Sequence, residues 1–318
     1  MTIKPAVLVL AEGDDPQLSM LKDLPHIVGR KAEDFRSAVN DPVVILAWSG
    51  PKQLLREVFL MCTNILWVHS RSAGLDSLLF PELVSSNVPL TNGSGVFSLS
   101  LGEFVLGAIL YFAKDFRRMV RNQMAGKWEQ FDVDEIDGQT VGVVGYGDIG
   151  RAVAKRVRPM GMSVLALKRH PPEGVDPLVD RFYQPDGLLE MLPLCDHVVI
   201  TLPLTAETRH MISDKEFAAM KPTGVIINVG RGPIIDQAAM VRALKENRIK
   251  GAGLDVFEQE PLPPGDPMYQ LENVLLSPHC ADHTKEWLNQ AMRFFIKQYQ
   301  RFVSGDPLDN VVNKSLGY

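Results

Sequence analysis

The chain has 318 residues, enough for about two domains that each bury an apolar core. Hydrophobic residues make up 46% and charged residues 22%, a composition typical of a globular protein. The formal net charge of −5 excludes a global field that would draw the protein onto nucleic acid or an anionic membrane.

The N-terminal apolar run, residues 5–11, is followed by acidic residues and lacks a small-residue cleavage site. It therefore predicts a first β-strand rather than a signal peptide. The three cysteines are odd in number and far apart, which argues against a disulfide framework and suits a reducing compartment. The longest apolar helix-like run, residues 104–113, is too short to span a bilayer. We expect a cytoplasmic protein with no membrane and no nucleic-acid partner.

The first 100 residues alternate short apolar runs with amphipathic stretches, a pattern that predicts βαβ units and a parallel sheet. Residues 101–121 are predicted as one continuous helix. Its apolar first half gives way to a basic second half, which we interpret as a solvated helix surface. The cations of that half are Lys114, Arg117, Arg118 and Arg121.

A second βα series begins at TVGVVGYGDIGRAVAKRV, residues 140–157, and continues to about residue 279. An amphipathic helix is predicted over 285–303. The pattern predicts an α/β protein with two Rossmann-like domains, each built on a parallel sheet.

Gly145, Gly147 and Gly150 form a G-x-G-x-x-G motif between a strand signal and a helix start. In that context Gly145 allows a tight turn, Gly147 lets the backbone approach a pyrophosphate, and Gly150 allows close packing of helix on strand. The motif predicts a dinucleotide site, and the alternative is a helix N-terminus with packing glycines. The predicted cofactor contacts are Gly145, Tyr146, Gly147, Asp148, Ile149 and Gly150.

Lys168 and Arg169 end the second strand of this unit, in the stretch MSVLALKRHPPEG. A dinucleotide fold that binds NAD usually has an acid there, on the ribose 2′-hydroxyl. Two cations would instead pair with a 2′-phosphate, and arginine can do so bidentately. We therefore predict NADP(H) as the preferred cofactor, with NAD(H) as the second choice; the alternative is two solvated cations beside a proline turn.

Arg231, Glu260 and His279 lie at or just past later strand signals. Reduction of a 2-oxo acid needs a cation for the carboxylate and ketone, a proton donor, and a carboxylate that keeps a histidine donor protonated. These three residues meet those needs and are the predicted catalytic set. Singly, each could be an ordinary surface or loop residue.

The sequence resembles the D-isomer-specific 2-hydroxyacid dehydrogenase family over nearly its whole length, most strongly from about 138 to 281. Several motifs match in order, which is more specific than any one of them. They are GYGDIGRAVAKR, TLPLTAETRHMI, MKPTGVIINVGRGPIID, ALKENRIKGAGLDVFEQEPLP and LLSPH. The basic residues after the second strand are similar to those of the glyoxylate and hydroxypyruvate reductase branch.

The resemblance implies the same catalytic roles for Arg231, Glu260 and His279. It implies further cofactor contacts, at Leu202, Pro203, Thr208, Val229, Gly230 and Asp255. Asp255 could alternatively brace the strand end. The stretch SRSAGLD resembles the family's substrate loop, whose backbone N–H groups take the carboxylate. The predicted substrate contacts are Ser72, Ala73, Gly74, Arg231 and His279, together with Trp48, which is proposed from its place after an early strand.

The resemblance also implies a discontinuous substrate domain, 1–100 plus 287–318, with an inserted NAD(P)-binding domain over 101–286. It implies a cleft at the domain junction, a homodimer, and a small 2-oxo or 2-hydroxy acid as substrate. The expected activity is NADPH-dependent reduction of 2-oxo acids to D-2-hydroxy acids. The alternative is a dinucleotide-sensing corepressor of the same fold, which binds partner proteins.

Asp282 and His283 depart from the family pattern, which usually has a small residue or glycine at the first of these positions. This departure puts the cofactor contacts near His279 in doubt. The stretch HCADH offers nominal metal ligands, but no second paired-ligand motif occurs, so no metal is predicted. Cys280 is expected to pack. Trp48, Arg71 and Trp287 are candidate pocket residues, although tryptophan more often packs in cores.

Overall fold

The chain forms two α/β units in a computed structural model that describes residues 4–76 and 78–317. Unit 1 comprises Met1–Phe97 and Thr284–Tyr318, and unit 2 comprises Ser98–His283. The predicted α/β class with two parallel sheets is confirmed. The assignment of a substrate role to one unit and a cofactor role to the other stays a prediction.

Unit 1 is built on a five-stranded parallel sheet with the strand order β2-β1-β3-β4-β5. Its strands are β1 Ala6–Leu10, β2 His26–Gly29, β3 Val43–Ala47, β4 Ile65–Ser70 and β5 Leu90–Thr91. Its α-helices are α1 Lys52–Met61, α2 Pro81–Ser85 and, after unit 2 in the chain, α9 Trp287–Ser304. Helical segments of the 3-10 type occur at Pro16–Leu21 and Ala32–Ala38.

The strands at the centre of this sheet are apolar on both faces. Every residue of β3 is buried, as are four of the five in β1. Parallel sheets are covered on both faces, so their strands are near-continuous apolar runs rather than alternating ones. The C-terminal helix α9 covers part of this sheet, where the Trp67 ring stacks on Phe295 at a centroid distance of 5.5 Å.

Unit 2 is built on a seven-stranded parallel sheet with the strand order β12-β11-β10-β9-β6-β7-β8. Its strands are β6 Thr140–Val144, β7 Ser163–Leu167, β8 Arg181–Tyr183, β9 His197–Ile200, β10 Val225–Asn228, β11 Gly251–Leu254 and β12 Val274–Leu276. Its α-helices are α3 Ser98–Ala113, α4 Phe116–Met124, α5 Asp148–Val157, α6 Leu188–Met191, α7 Asp214–Ala219 and α8 Gln237–Lys245.

The continuous helix predicted over 101–121 is wrong, because the chain breaks between α3 and α4. Asp115 adopts a left-handed conformation, with φ of 50°, and its side chain accepts a hydrogen bond from the backbone N–H of Arg118. The basic half is solvated, as interpreted, since no residue of α4 is buried, and two of its cations make surface contacts. Arg117 donates to the carbonyl of Leu271 at 2.9 Å, and Arg121 forms an ion pair with Glu272 at 3.0 Å.

The strand order of unit 2 reverses at β6, which lies between β7 and β9. In open parallel sheets ligands bind outside the carboxyl ends of the strands at such a switch point. The loop after β6 is therefore where the fold favours a bound ligand. Among the helices of the described residues, none is long and apolar enough to cross a membrane.

Candidate active site

The glycine loop joins β6 to α5, at the reversal point of the sheet. Gly145 has φ of +106°, a conformation that side-chain-bearing residues rarely adopt. A Cβ at Gly150 would lie 2.6 Å from the carbonyl oxygen of Gly145, so only glycine allows this packing. A Cβ at Gly147 would meet nothing within 4 Å, which leaves open space over the loop. These are the three properties that a dinucleotide-binding turn requires.

The first turn of α5 presents backbone donors at this loop. Within the described part of the chain, no acceptor receives the backbone N–H of Asp148, Ile149 or Gly150. Unpaired amides at a helix N-terminus, together with the helix dipole, bind anions such as phosphate. The side chain of Asp148 accepts a hydrogen bond from the Ser98 hydroxyl. The cradle thus fits a pyrophosphate.

Lys168 and Arg169 lie beside the same loop, directly after β7. The Lys168 ammonium donates to the carbonyl oxygen of Tyr146 at 2.9 Å. The Arg169 guanidinium forms an ion pair with the carboxylate of Glu207. Both cations are therefore near the glycine loop or its neighbouring loop, and a phosphate at Arg169 would compete with Glu207.

Asp176 is a residue of this region that sequence reasoning missed. It accepts a hydrogen bond from the Tyr146 hydroxyl at 3.0 Å and forms an ion pair with Arg151. Burial, and next the hydrogen bond to Asp176, raises the pKa of Tyr146 to about 12. Asp176 is 30 residues from Tyr146 in the sequence, so no local motif could have indicated the contact.

Five more predicted cofactor residues lie in the loops that follow β9 and β10, which pair in parallel: Leu202, Pro203, Thr208, Val229 and Gly230. The hydroxyl of Thr208 donates to the carbonyl of Pro203 at 2.7 Å, so it closes the first of these loops. The two loops also touch, because a Cβ at Gly230 would lie 2.8 Å from the carbonyl oxygen of Leu202. The backbone N–H of Val229 donates to the carbonyl oxygen of Ile200 at 3.2 Å, which joins the ends of the two strands.

The predicted catalytic residues follow three neighbouring strands of unit 2. Arg231 comes after β10, Glu260 after β11 and His279 after β12. The Nδ1 atom of His279 lies 2.6 Å from Oε2 of Glu260, which makes a charge-assisted hydrogen bond when the ring is protonated. Both side chains are partly exposed, His279 at 46% and Glu260 at 34%. The pair is therefore tightly bonded and still open to a ligand.

Two further contacts hold members of this set. The second carboxylate oxygen of Glu260 accepts from the backbone N–H of Phe257 at 2.9 Å, which fixes its orientation toward His279. The Arg231 guanidinium donates to the carbonyl of Gly230 at 2.8 Å. A Cβ at Gly232 would lie 1.9 Å from the Phe257 carbonyl, so the loops after β10 and β11 are in close contact.

Asp255 holds the loop that carries His279. Its side chain is 1% exposed, and Oδ1 accepts three hydrogen bonds. The donors are the hydroxyl of Ser277 at 2.5 Å and the backbone N–H groups of Cys280 at 2.9 Å and Ala281 at 3.0 Å. The backbone of His279 has φ of +51°, an uncommon value for a residue with a side chain, so the loop needs such support. Asp255 therefore supports the strand end and the His279 loop, which is the alternative role that the sequence offered for it.

The predicted substrate loop of unit 1 is held by its carbonyl groups. The carbonyl of Ser72 accepts from the backbone N–H of Gly93 at 3.2 Å, and that of Ala73 accepts from the Asn92 side chain at 2.7 Å. Over residues 4–76 and 78–317, no acceptor receives the N–H of Ser72, Ala73 or Gly74. Three consecutive open amides can bind a carboxylate. Asn92 is the supporting residue that the sequence did not reveal.

Trp48 follows β3 and is 2% exposed. Its indole Nε1 donates to Asp15 at 2.9 Å, and its ring faces the Arg71 guanidinium. Trp48 is thus buried, and its indole N–H is already paired with Asp15.

Asp282 and His283 lie next to the His279 loop. The two side chains are 3.6 Å apart, and burial raises the pKa of Asp282. Among the described residues no group of three metal-ligating side chains is found. The expectation that Cys280 packs is wrong, because Cys280 is exposed.

Comparison with known proteins adds to this geometry. The family described as D-isomer specific 2-hydroxyacid dehydrogenase, NAD binding domain, matches residues 106–281. A glyoxylate reductase of Thermofilum pendens is 32% identical over 329 aligned positions, which cover 98% of this chain and 96% of the relative.

Solved structures are also similar over the whole chain. A D-isomer specific 2-hydroxyacid dehydrogenase from Xanthobacter autotrophicus, in complex with NADPH and MES, has a TM-score of 0.84 and 29% identity, covering 99% of this chain and 100% of that one. An NADPH-dependent glyoxylate/hydroxypyruvate reductase from Sinorhizobium meliloti, in complex with NADP and sulfate, has a TM-score of 0.85 and 25% identity, with coverage of 99% and 100%.

Proposed function

Because the chain belongs to the D-isomer-specific 2-hydroxyacid dehydrogenase family, with similarity to its glyoxylate/hydroxypyruvate reductase branch, we propose that it reduces 2-oxo acids to D-2-hydroxy acids with NADPH as preferred cofactor. The chain is an NAD(P)-dependent oxidoreductase. The observation that carries the proposal is the 2.6 Å contact between His279 and Glu260.

His279 is the proposed proton donor. Its Nδ1 is bonded to Glu260, which leaves Nε2 to face the oxygen of the substrate ketone. In its imidazolium form the ring donates a proton to the ketone oxygen as the ketone is reduced. In the oxidative direction the neutral imidazole accepts the proton from the 2-hydroxyl group. Glu260 therefore positions His279 and compensates its charge.

The substrate is held by two kinds of donor. The open amides of Ser72, Ala73 and Gly74 are the proposed carboxylate binders of unit 1, and the Arg231 guanidinium is the proposed group of unit 2 that polarises the ketone. A guanidinium fork places two N–H donors in one plane, which a lysine ammonium cannot copy.

The glycine loop and the first-turn amides of α5 would hold the dinucleotide, and the loops after β9 and β10 would border it. When bound, the reduced nicotinamide supplies the hydride to the ketone carbon. Lys168 and Arg169 would bind a 2′-phosphate, in keeping with the NADP and NADPH complexes of the two similar structures. Arg169 would exchange its Glu207 partner for the phosphate.

The test of the cofactor proposal is kcat/KM with NADPH against NADH, measured with glyoxylate and hydroxypyruvate. We expect NADPH to be favoured, and the double variant Lys168→Asp with Arg169→Ala to narrow the ratio by about 100-fold, since two charge-assisted contacts are lost. Arg181→Ala, an exposed arginine of the same unit, is the control. Equal or better use of NADH by the unaltered protein would contradict the preference.

The second candidate, a dinucleotide-sensing corepressor, is not favoured, since the matched relatives are named as reductases. Measuring turnover with a panel of 2-oxo acids distinguishes the reductase from the corepressor, because a protein that only binds partners does not need catalytic turnover. The homodimer and the cytoplasmic location stay predictions; light scattering of the purified protein tests the first.

A further inference from the structure

Arg71 lies at the ligand-binding edge of the sheet in unit 1. It is the first residue after β4, as Trp48 is the first after β3, and its backbone N–H donates to the carbonyl of Ala47 at 3.1 Å. The carboxyl ends of neighbouring parallel strands meet at one edge of a sheet. Arg71 also directly precedes the three open amides of residues 72–74, to which the proposed function assigns the substrate carboxylate.

Two indole rings hold the guanidinium of Arg71. Its central carbon lies 5.1 Å from the ring centroid of Trp48 and 5.3 Å from that of Trp287. Both rings are themselves supported: Trp48 donates to Asp15 at 2.9 Å, and Trp287 packs edge-on against Phe97 at 6.2 Å. The guanidinium is thus pre-organised, so little side-chain entropy is lost when it binds a ligand.

Aromatic rings cover the faces of a guanidinium but not its N–H edge. Cation–π contacts stabilise the charge through the faces of the group. Acceptors bind in the guanidinium plane, and the fork matches the two oxygens of a carboxylate. A cation placed one residue from a carboxylate-binding loop therefore suits a second anionic group on the same ligand.

We infer that Arg71 binds a second carboxylate of the substrate, and that the substrate class is the short 2-oxo dicarboxylic acids. This inference rests on the proposed function and deepens it. The 1-carboxylate lies on the amides of residues 72–74, and the distal carboxylate lies on the N–H edge of Arg71. The distal group takes no part in the reduction and contributes binding and selectivity.

The test compares oxaloacetate with 4-methyl-2-oxopentanoate, in which an isopropyl group replaces the distal carboxylate at nearly the same volume. We expect the unaltered protein to have the higher kcat/KM with oxaloacetate. Arg71→Met keeps an unbranched apolar stem between the indoles, and should lower the ratio of the two kcat/KM values by about 10- to 100-fold, the loss of a charge-assisted contact. Arg36→Met removes the same charge from an exposed position of unit 1 and should leave the ratio unchanged.

Several outcomes overturn the inference. The inference is wrong if Arg71→Met leaves the ratio of kcat/KM for oxaloacetate to kcat/KM for 4-methyl-2-oxopentanoate unchanged while circular dichroism shows that the variant is folded. The inference is also wrong if the unaltered protein has a higher kcat/KM with 4-methyl-2-oxopentanoate or phenylpyruvate than with oxaloacetate. Failure of the proposed function is distinct, because then neither these acids nor glyoxylate would be reduced with NADPH or NADH.

Discussion

The loop that carries His279 and the loop of residues 72–74 both follow a parallel strand, yet they are held in opposite ways. In unit 2 the amides after His279 point inward, where Oδ1 of Asp255 accepts two backbone N–H groups. In unit 1 the carbonyls of Ser72 and Ala73 are held by Gly93 and Asn92, and the amides remain open. The protein therefore binds the N–H groups of the first loop and the carbonyl groups of the second.

The difference agrees with the roles that we propose for the two loops. A proton donor must be fixed at one atom, so the backbone around it is bonded and the side chain is exposed. An anion-binding loop must offer its own N–H groups, so only its carbonyls can be used for anchoring. A loop can thus position a side chain or bind with its backbone, but the same amides cannot do both.

The largest expected effect comes from removing the side chain that the first loop presents. His279→Ala should lower kcat by about 100- to 10,000-fold, because general acid catalysis is lost while the backbone stays bonded to Asp255. Binding of NADPH, followed by fluorescence titration, should remain near that of the unaltered protein. The exposed His26→Ala serves as control. A loss of turnover below about tenfold would remove His279 as the acid.

Removing the anchor of the same loop should have a smaller effect on turnover and a clear effect on stability. Asp255→Ala leaves the amides of Cys280 and Ala281 without their acceptor, so we expect unfolding free energy to fall by about 2–4 kcal/mol and kcat by about 10- to 100-fold. Denaturant titration and initial rates measure the two. Ser277→Ala removes one of the three bonds and should give about a third of the loss of stability.

Asp132→Ala, an exposed aspartate of unit 2, is the matched control for this change. Normal kcat in a folded Asp255→Ala variant would show that His279 keeps its position without the brace. The contrast between the two loops would then be a matter of stability alone.

The smallest expected effect comes from loosening the second loop. Asn92→Ala removes the side-chain donor to the carbonyl of Ala73, so the amides of residues 72–74 lose part of their alignment. We expect KM for the 2-oxo acid to rise about tenfold with kcat little changed, in line with one lost hydrogen bond. Steady-state kinetics test this, with exposed Asn64→Ala as control. A fall in kcat with constant KM would contradict a role in binding alone.

The amino-acid sequence by itself determined the α/β class, the two parallel sheets and the place of the glycine loop. It also indicated that Arg231, Glu260 and His279 follow successive strand signals. These features are local: apolar runs, turn residues and motif spacing are written in neighbouring residues, and parallel strands bring their carboxyl ends together whatever the details.

The tertiary structure alone decided the contacts between residues distant in the chain. In the structure the predicted helix ends before Asp115. The Asp255 carboxylate accepts hydrogen bonds from the backbone N–H groups of Cys280 and Ala281. The Arg71 guanidinium lies near two indole rings. Such contacts depend on which strands become neighbours and how their loops pack, and a side-chain hydrogen bond over tens of residues leaves no periodic or local pattern. Sequence patterns therefore indicated which residues end the strands, while packing fixed what each of them touches.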